Sequence, residues 1–142
     1  MEKIRTIIRT YTRDLYENPI SKIFIKLGFT PNLVTMLGLF ITIFGSLFIY
    51  NGEFFIGGII VAFGTILDSI DGAMARLSGN ESVFGNLLDS VIDRYGEATI
   101  FLGLLGYYLF NDLDKTAVLL CVISLLCSQL ISYIRAKSES LQ

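Results

Sequence analysis

The chain has no histidine, only two cysteines and two prolines, and few charges: 17% of its 142 residues are Asp, Glu, Lys or Arg. Cys121 and Cys127 are six residues apart, so they do not share a helix face, and neither has a second metal ligand beside it. Both read as ordinary apolar residues of a span rather than as redox or metal groups. With histidine absent, a metal here falls to oxygen donors, which suit hard cations such as Mg²⁺ or Mn²⁺. A net charge of −2 points to no nucleic-acid partner. No signal peptide is visible: the first long apolar run starts at Leu33 and no small-residue cleavage site follows it. Repeats and low-complexity segments are also missing.

What is present is apolar. Hydrophobic residues make up 53% of the chain and mean hydropathy is +0.64, which places it among membrane proteins. Residues 1–29 form a basic arm. Lys3, Arg5, Arg9, Arg13, Lys22 and Lys26 alternate with Ile4, Ile7, Ile8, Tyr11 and Leu15 at a spacing that fits an amphipathic helix lying in the membrane interface. Pro19 divides it into two pieces.

Leu33 to Tyr50 is an uncharged run long enough to span a bilayer. Asn51-Gly52-Glu53 is a turn. One helix is expected from Phe54 to Leu77, with Gly57, Gly58 and Gly64 allowing close approach of a neighbour. Ser82 is a candidate N-cap for a third long helix reaching Phe110. After a polar turn at residues 111–115, a fourth span runs from Thr116 to Ile134. Its interior polar residues, Ser124, Ser128 and Gln129, are explained by packing or interhelical hydrogen bonding. The sequence thus predicts an all-α integral membrane protein with an interfacial helix and four transmembrane helices. Ten of the eleven Lys and Arg residues lie in the arm, in the Arg76–Arg94 region or in the tail from Arg135. The positive-inside rule then puts the N-terminus and the polar end of the bundle in the cytoplasm, under the cell membrane.

The polar end is organised around Asp68, Asp71, Asp89 and Asp93. Spacings of three and four put each pair on one helix face. Residues 76–82 read as a short turn that folds the two helices together, so all four carboxylates can point into one gap. Four carboxylates that close cannot all stay ionised without counter-charge. Arg76 supplies one positive charge; two divalent cations supply four more. A hard cation on carboxylates commonly takes phosphate as its other ligand. The residues therefore point to a metal-dependent site acting on a phosphate or diphosphate. Water-facing loop carboxylates are the blander reading, and a costly one beside long apolar runs. Gly72 and Ala75 let a flat ligand approach the helix backbone, or else serve helix packing.

The pattern D-x2-D-G-x2-A-R-x8-G-x3-D-x3-D is met at every spacing by Asp68, Asp71, Gly72, Ala75, Arg76, Gly85, Asp89 and Asp93. It resembles the signature of the CDP-alcohol phosphotransferases. The resemblance extends from Thr30 to Lys137. F-G-N-L-L-D-S-V-I-D-R and S-Y-I-R-A-K look most like the phosphatidylinositol-phosphate and archaetidylinositol-phosphate synthases. It implies transfer of a lipid phosphate from a CDP-linked lipid to an alcohol, inositol phosphate first and glycerol 3-phosphate as an alternative, with release of CMP. It implies Asp68, Asp71 and Asp89 as ligands of two Mg²⁺ or Mn²⁺ ions, and Asp93 as general base and further ligand. Gly72, Ala75, Arg76 and Gly85 then fall at the CDP-lipid site, with Asn32 and Thr35 at the diphosphate. Ser132, Arg135 and Lys137 fall at the acceptor phosphate, where interface anchoring is the competing role of the two basic residues. A homodimer is implied as well.

Family members usually have six transmembrane helices against the four counted here. Residues 30–142 are therefore expected to be a transferase domain incomplete at its C-terminus, and a truncated, inactive metal-binding form is an alternative. An intramembrane prenyltransferase also uses aspartate pairs, but lacks the G-x2-A-R continuation. A divalent-cation transporter needs no nucleotide pocket, and so leaves Gly72, Ala75 and Arg76 unexplained.

Overall fold

The structure is a computed structural model and describes residues 17–79 and 81–141. Five helices follow one another: α1 (Asn18–Lys26), α2 (Pro31–Tyr50), α3 (Phe54–Ser78), α4 (Val83–Phe110) and α5 (Lys115–Glu139). No strand occurs among the described residues. Lys3, Arg5, Arg9 and Arg13 of the basic arm lie outside them. Pro19 sits in the first turn of α1, where its missing N–H costs nothing; the part of the arm that it is expected to divide from α1 lies outside the described residues.

Local chemistry sets the helix boundaries. Thr30 caps α2, its side chain accepting from the Leu33 N–H at 3.4 Å, and Pro31 opens the first turn. Ser82 caps α4 by accepting from the Gly85 N–H at 2.9 Å. Asp114 caps α5 by accepting from the N–H groups of Thr116 and Ala117 at 2.9 and 3.1 Å. At the end of α3, Gly79 takes a left-handed φ of 65° and stops the helix.

α2, α3 and α5 are each long and apolar enough to cross a membrane. α4, at 28 residues, is the fourth long helix. Its first half carries Asp89, Asp93, Arg94 and Glu97, which leaves only the second half uniformly apolar.

Helices α2 and α3 pack backbone to backbone. A Cβ built on Gly57 would lie 2.8 Å from the Gly45 carbonyl oxygen, and one on Gly64 would lie 2.9 Å from that of Gly38. Gly58 faces open space, so of the three glycines expected to admit a neighbour, only Gly57 and Gly64 do. Helix α4 joins through Ser46, whose hydroxyl donates to the Thr99 carbonyl at 2.6 Å. At the polar end, Val34, Ile70 and Met74 form a small core covered by Ile20, Phe24, Ile25, Phe29 and Leu67. The fully buried Ser21 donates to the Ile70 carbonyl at 3.2 Å. Helix α1 therefore braces the stretch of α3 that carries the aspartates. α5 is the outlier: none of its residues is buried.

Candidate active site

Asp68 and Asp71 come from the second half of α3, and Asp89 from the second turn of α4. The fold brings them together, so that one oxygen of each lies within 4.8 Å of the others. The donor set is all carboxylate oxygen, and its spacing fits a hard divalent cation bridged by three ligands. Asp71 is buried at 4% exposure and accepts a hydrogen bond from the Thr35 hydroxyl of α2. Burying that charge is costly unless it is paired or bound to metal. Asp93, about three helical turns into α4 from its cap, stands outside the trio. It is half exposed, lies 3.7 Å from the Arg94 guanidinium, and its carboxyl group is within hydrogen-bonding reach of that of Asp68, with which it lines one cavity.

Three spaces meet at these carboxylates. A narrow cleft of about 50 Å³ is lined by Asp71 and Asp89 together with Asn32, Thr35, Gly72, Ala75 and Gly85. Five of the six residues expected at the CDP-lipid site, Gly72, Ala75, Gly85, Asn32 and Thr35 but not Arg76, thus share one opening. A Cβ on Gly85 would lie 3.0 Å from the Ser82 hydroxyl and 3.6 Å from Asn32 Oδ1, so glycine keeps this wall thin. The cleft runs into a cavity of about 280 Å³ that shares Pro31, Asn32 and Ser82 with it and adds Ile25, Phe29, Thr30 and Ser78. Arg76 is the exception. It points away to the N-terminal end of α1, where it pairs with Glu17 at 3.4 Å.

The second space, about 250 Å³, holds Asp68, Asp93 and Arg94 at one end and Gly38, Leu39, Ile92, Gly96 and Ile100 along its length. The third, about 540 Å³, lies between α4 and α5 and is lined by Ser90, Asp93, Arg94, Gln129, Ser132, Tyr133, Arg135, Ala136 and Glu139. Ser132 and Arg135 therefore face Asp93 across one space. Lys137 is not in its wall, and Arg135 also pairs with Glu139 at 3.2 Å.

Asn86, Arg94 and Glu97 are among the wall residues not singled out from the sequence as site residues. Asn86 lines the narrow cleft, and Arg94 and Glu97 line the second space. Glu97 continues the four-residue stride of Asp89 and Asp93, a signal visible in the sequence. Asn86 has only its position one residue after Gly85.

The family model for CDP-alcohol phosphatidyltransferase matches residues 29–141. A phosphatidylinositol phosphate synthase of Mycobacterium tuberculosis is 38% identical over 123 residues, covering 86% of this chain and 57% of the relative. An archaetidylinositol phosphate synthase of Pyrococcus horikoshii is 39% identical over 121 residues, covering 84% of this chain and 61% of the relative. The chain thus spans little more than half the length of these proteins. A crystal structure of the M. tuberculosis phosphatidylinositol phosphate synthase with CDP-DAG bound superposes with a TM-score of 0.82 at 37% identity, over 88% of this chain and 63% of that one. The same enzyme in complex with manganese and citrate gives 0.82 at 38% identity, over 87% and 60%. With a matched model over most of its length and the full aspartate pattern folded into one site, this chain belongs to the CDP-alcohol phosphatidyltransferase family.

Proposed function

We propose that this chain carries the catalytic centre of a membrane phosphatidyltransferase that moves a lipid phosphate from a CDP-linked lipid to inositol phosphate and releases CMP. The observation that carries the reading is the shared cleft: Asp71 and Asp89 of the carboxylate trio open into the same space as Gly72, Ala75, Gly85, Asn32 and Thr35. That space alone is about one or two waters in size, so it suits only the metal-facing oxygens of the diphosphate. The adjoining cavity beside Phe29 and Thr30 offers the room a nucleoside needs. The second space, where Leu39, Ile92 and Ile100 lie beside the charged groups, suits the start of the lipid chains. The space between α4 and α5 suits the acceptor, with Arg135 for its phosphate and Lys137 nearby in sequence.

Asp68, Asp71 and Asp89 hold divalent metal in this reading, Mg²⁺ or Mn²⁺, as two ions with Asp93 touching the second. When bound, the metal neutralises the diphosphate charge that builds as the leaving group departs. Thr35 holds the buried Asp71 carboxylate in its ligating orientation. Asp93, exposed between the second space and the acceptor space, takes the proton of the acceptor hydroxyl. That oxygen forms the new bond to phosphorus as the bond from phosphorus to the CMP oxygen breaks, and CMP leaves with the electron pair. Arg76 gives up Glu17 to meet a donor phosphate. The aspartate end faces the cytoplasm at the cell membrane, and the protein works as a homodimer; cross-linking in lipid that returns only monomer would remove the last point.

The test is CMP release from a CDP-linked lipid, with either diacylglycerol or archaeal ether chains, run against inositol phosphate, glycerol phosphate, serine and inositol. Release dependent on inositol phosphate and abolished by EDTA is expected. Release of equal size with serine or free inositol would overturn the acceptor assignment.

A further inference from the structure

Helix α5 has no buried residue, yet it supplies one whole wall of the space that Asp93 faces. Something must hold it in register. Among the described residues, the side-chain hydrogen bonds joining α4 to α5 all converge on Glu97 and Arg94. Glu97 accepts from the Ser128 hydroxyl through one oxygen. Its other oxygen accepts from Arg94 Nη1 at 2.7 Å and from Gln129 Nε2 at 3.4 Å. Arg94 Nη1 also donates to the Ser132 hydroxyl oxygen at 2.7 Å, and its Nη2 lies 3.7 Å from Asp93. Apolar packing alone sets little register in a membrane, because lipid is as good a partner as another helix; interhelical hydrogen bonds such as these part-buried ones do. Ser128 and Ser132 are one turn apart on α5, and Arg94 and Glu97 are one turn apart on α4, so the two pairs form a two-rung lock.

We propose that Glu97 is a positioning residue that sets α5 in register against α4 and so fixes Ser132 and Arg135 opposite Asp93. It governs acceptor binding while leaving the metal and the nucleotide alone. The carboxylate touches neither reacting atoms nor the trio. It acts through Arg94, Ser128 and Gln129. The acceptor half of this inference rests on the proposed function; the register half does not.

The two halves are separated by experiment. Nitroxide labels are placed at Leu87→Cys and Ile131→Cys, both exposed and outside the site, in a Cys121→Ser, Cys127→Ser background. The distance between them is read in the parent, in Glu97→Ala and in Glu97→Gln. The same proteins are scored for the melting shift with Mn²⁺ and with CMP, and for affinity for inositol 1-phosphate. Glu97→Ala is expected to broaden the distance distribution and weaken inositol 1-phosphate roughly tenfold, about the worth of one charge-assisted hydrogen bond. Its Mn²⁺ and CMP shifts stay at parent values. Glu97→Gln keeps an acceptor for Ser128 and should fall between. A distribution in Glu97→Ala as narrow as the parent's overturns the proposal. So does a loss of the Mn²⁺ shift in both variants, which marks a general folding defect. If the parent ignores inositol 1-phosphate while Glu97→Ala still broadens the distribution, the lock stands and the acceptor assignment fails.

Discussion

Gly72 stands next to Asp71 in the wall of the narrow cleft, and the nearest atom to an added Cβ there is the Arg76 guanidinium, at 3.5 Å. A methyl group fits that space; an isobutyl group fills a cleft of about 50 Å³. Gly72→Leu should therefore abolish the CMP-induced melting shift while the Mn²⁺ shift persists, and an equal CMP shift in mutant and parent would put the nucleotide elsewhere. The aspartates divide in the same way. Asp68 belongs to the close trio and Asp93 does not. Asp68→Asn should lose the Mn²⁺ shift and CMP release together. Asp93→Asn keeps the size and an acceptor oxygen but cannot take a proton, so it should lose CMP release by a hundredfold or more (roughly 10²–10⁴ for a general base) and keep most of the Mn²⁺ shift. Should Asp93→Asn lose metal as fully as Asp68→Asn, Asp93 is a ligand first. At this scale the carboxylate cluster was legible in the sequence, since three- and four-residue strides on helices leave little freedom. Arg76 was not. Its partner Glu17 lies 59 residues away, and only the docking of α1 on α3 brings the two together.

The elements were legible because their ends are written in local chemistry. Thr30-Pro31, Ser82 and Gly79 start or stop helices by groups within three residues of the boundary. Which face each helix buries is a different matter, because it depends on what packs against it. Gly57 and Gly58 are neighbours with the same composition around them, yet one meets a helix backbone and the other meets nothing. The pair makes a controlled test. In Gly57→Ala the new Cβ would lie 2.8 Å from a carbonyl oxygen and 3.0 Å from the Ile49 nitrogen. Neither atom can rotate away, so α2 and α3 must separate. A loss of roughly 1–3 kcal/mol is expected from such overpacking, seen as a clear fall in melting temperature in detergent. Gly58→Ala adds a methyl group to open space and should be neutral, or stabilising by up to about 1 kcal/mol through helix propensity. Equal effects at the two positions would mean that α2 and α3 do not pack through these glycines. The mutual lock of α4 and α5 was out of reach for the same reason: Ser128 and Gln129 read as interhelical hydrogen-bonding residues, but the identity of their partner is a property of the packed pair.

At the scale of the whole molecule, the carboxylates oppose the fold that gathers them. Asp71 is buried, Asp68 and Asp89 are partly buried, and Asp93 stands at the edge of the same site, while Arg76 is engaged by Glu17 and Arg94 by Glu97. Neither cation is aimed at the trio. The packing of α2 against α3 and α4 and the bracing of α3 by α1 therefore hold together groups that repel one another, and a divalent cation relieves that repulsion only in the folded state. Stability should then rise with metal as the logarithm of concentration over Kd, about 2.7 kcal/mol at a hundredfold excess over Kd. Adding Mn²⁺ or Mg²⁺ to EDTA-stripped protein should raise the melting temperature, and EDTA should reverse it. Asp71→Asn should start from a higher metal-free melting temperature than the parent, because it removes a buried charge while leaving an acceptor for Thr35, and it should respond less to metal. Opposite signs for that one substitution with and without cation are the signature of a metal site strained when empty. If Asp71→Asn lowers the melting temperature in EDTA as much as it does in Mn²⁺, the carboxylate serves the packing of α2 on α3 through Thr35, and the trio is not what the cation stabilises.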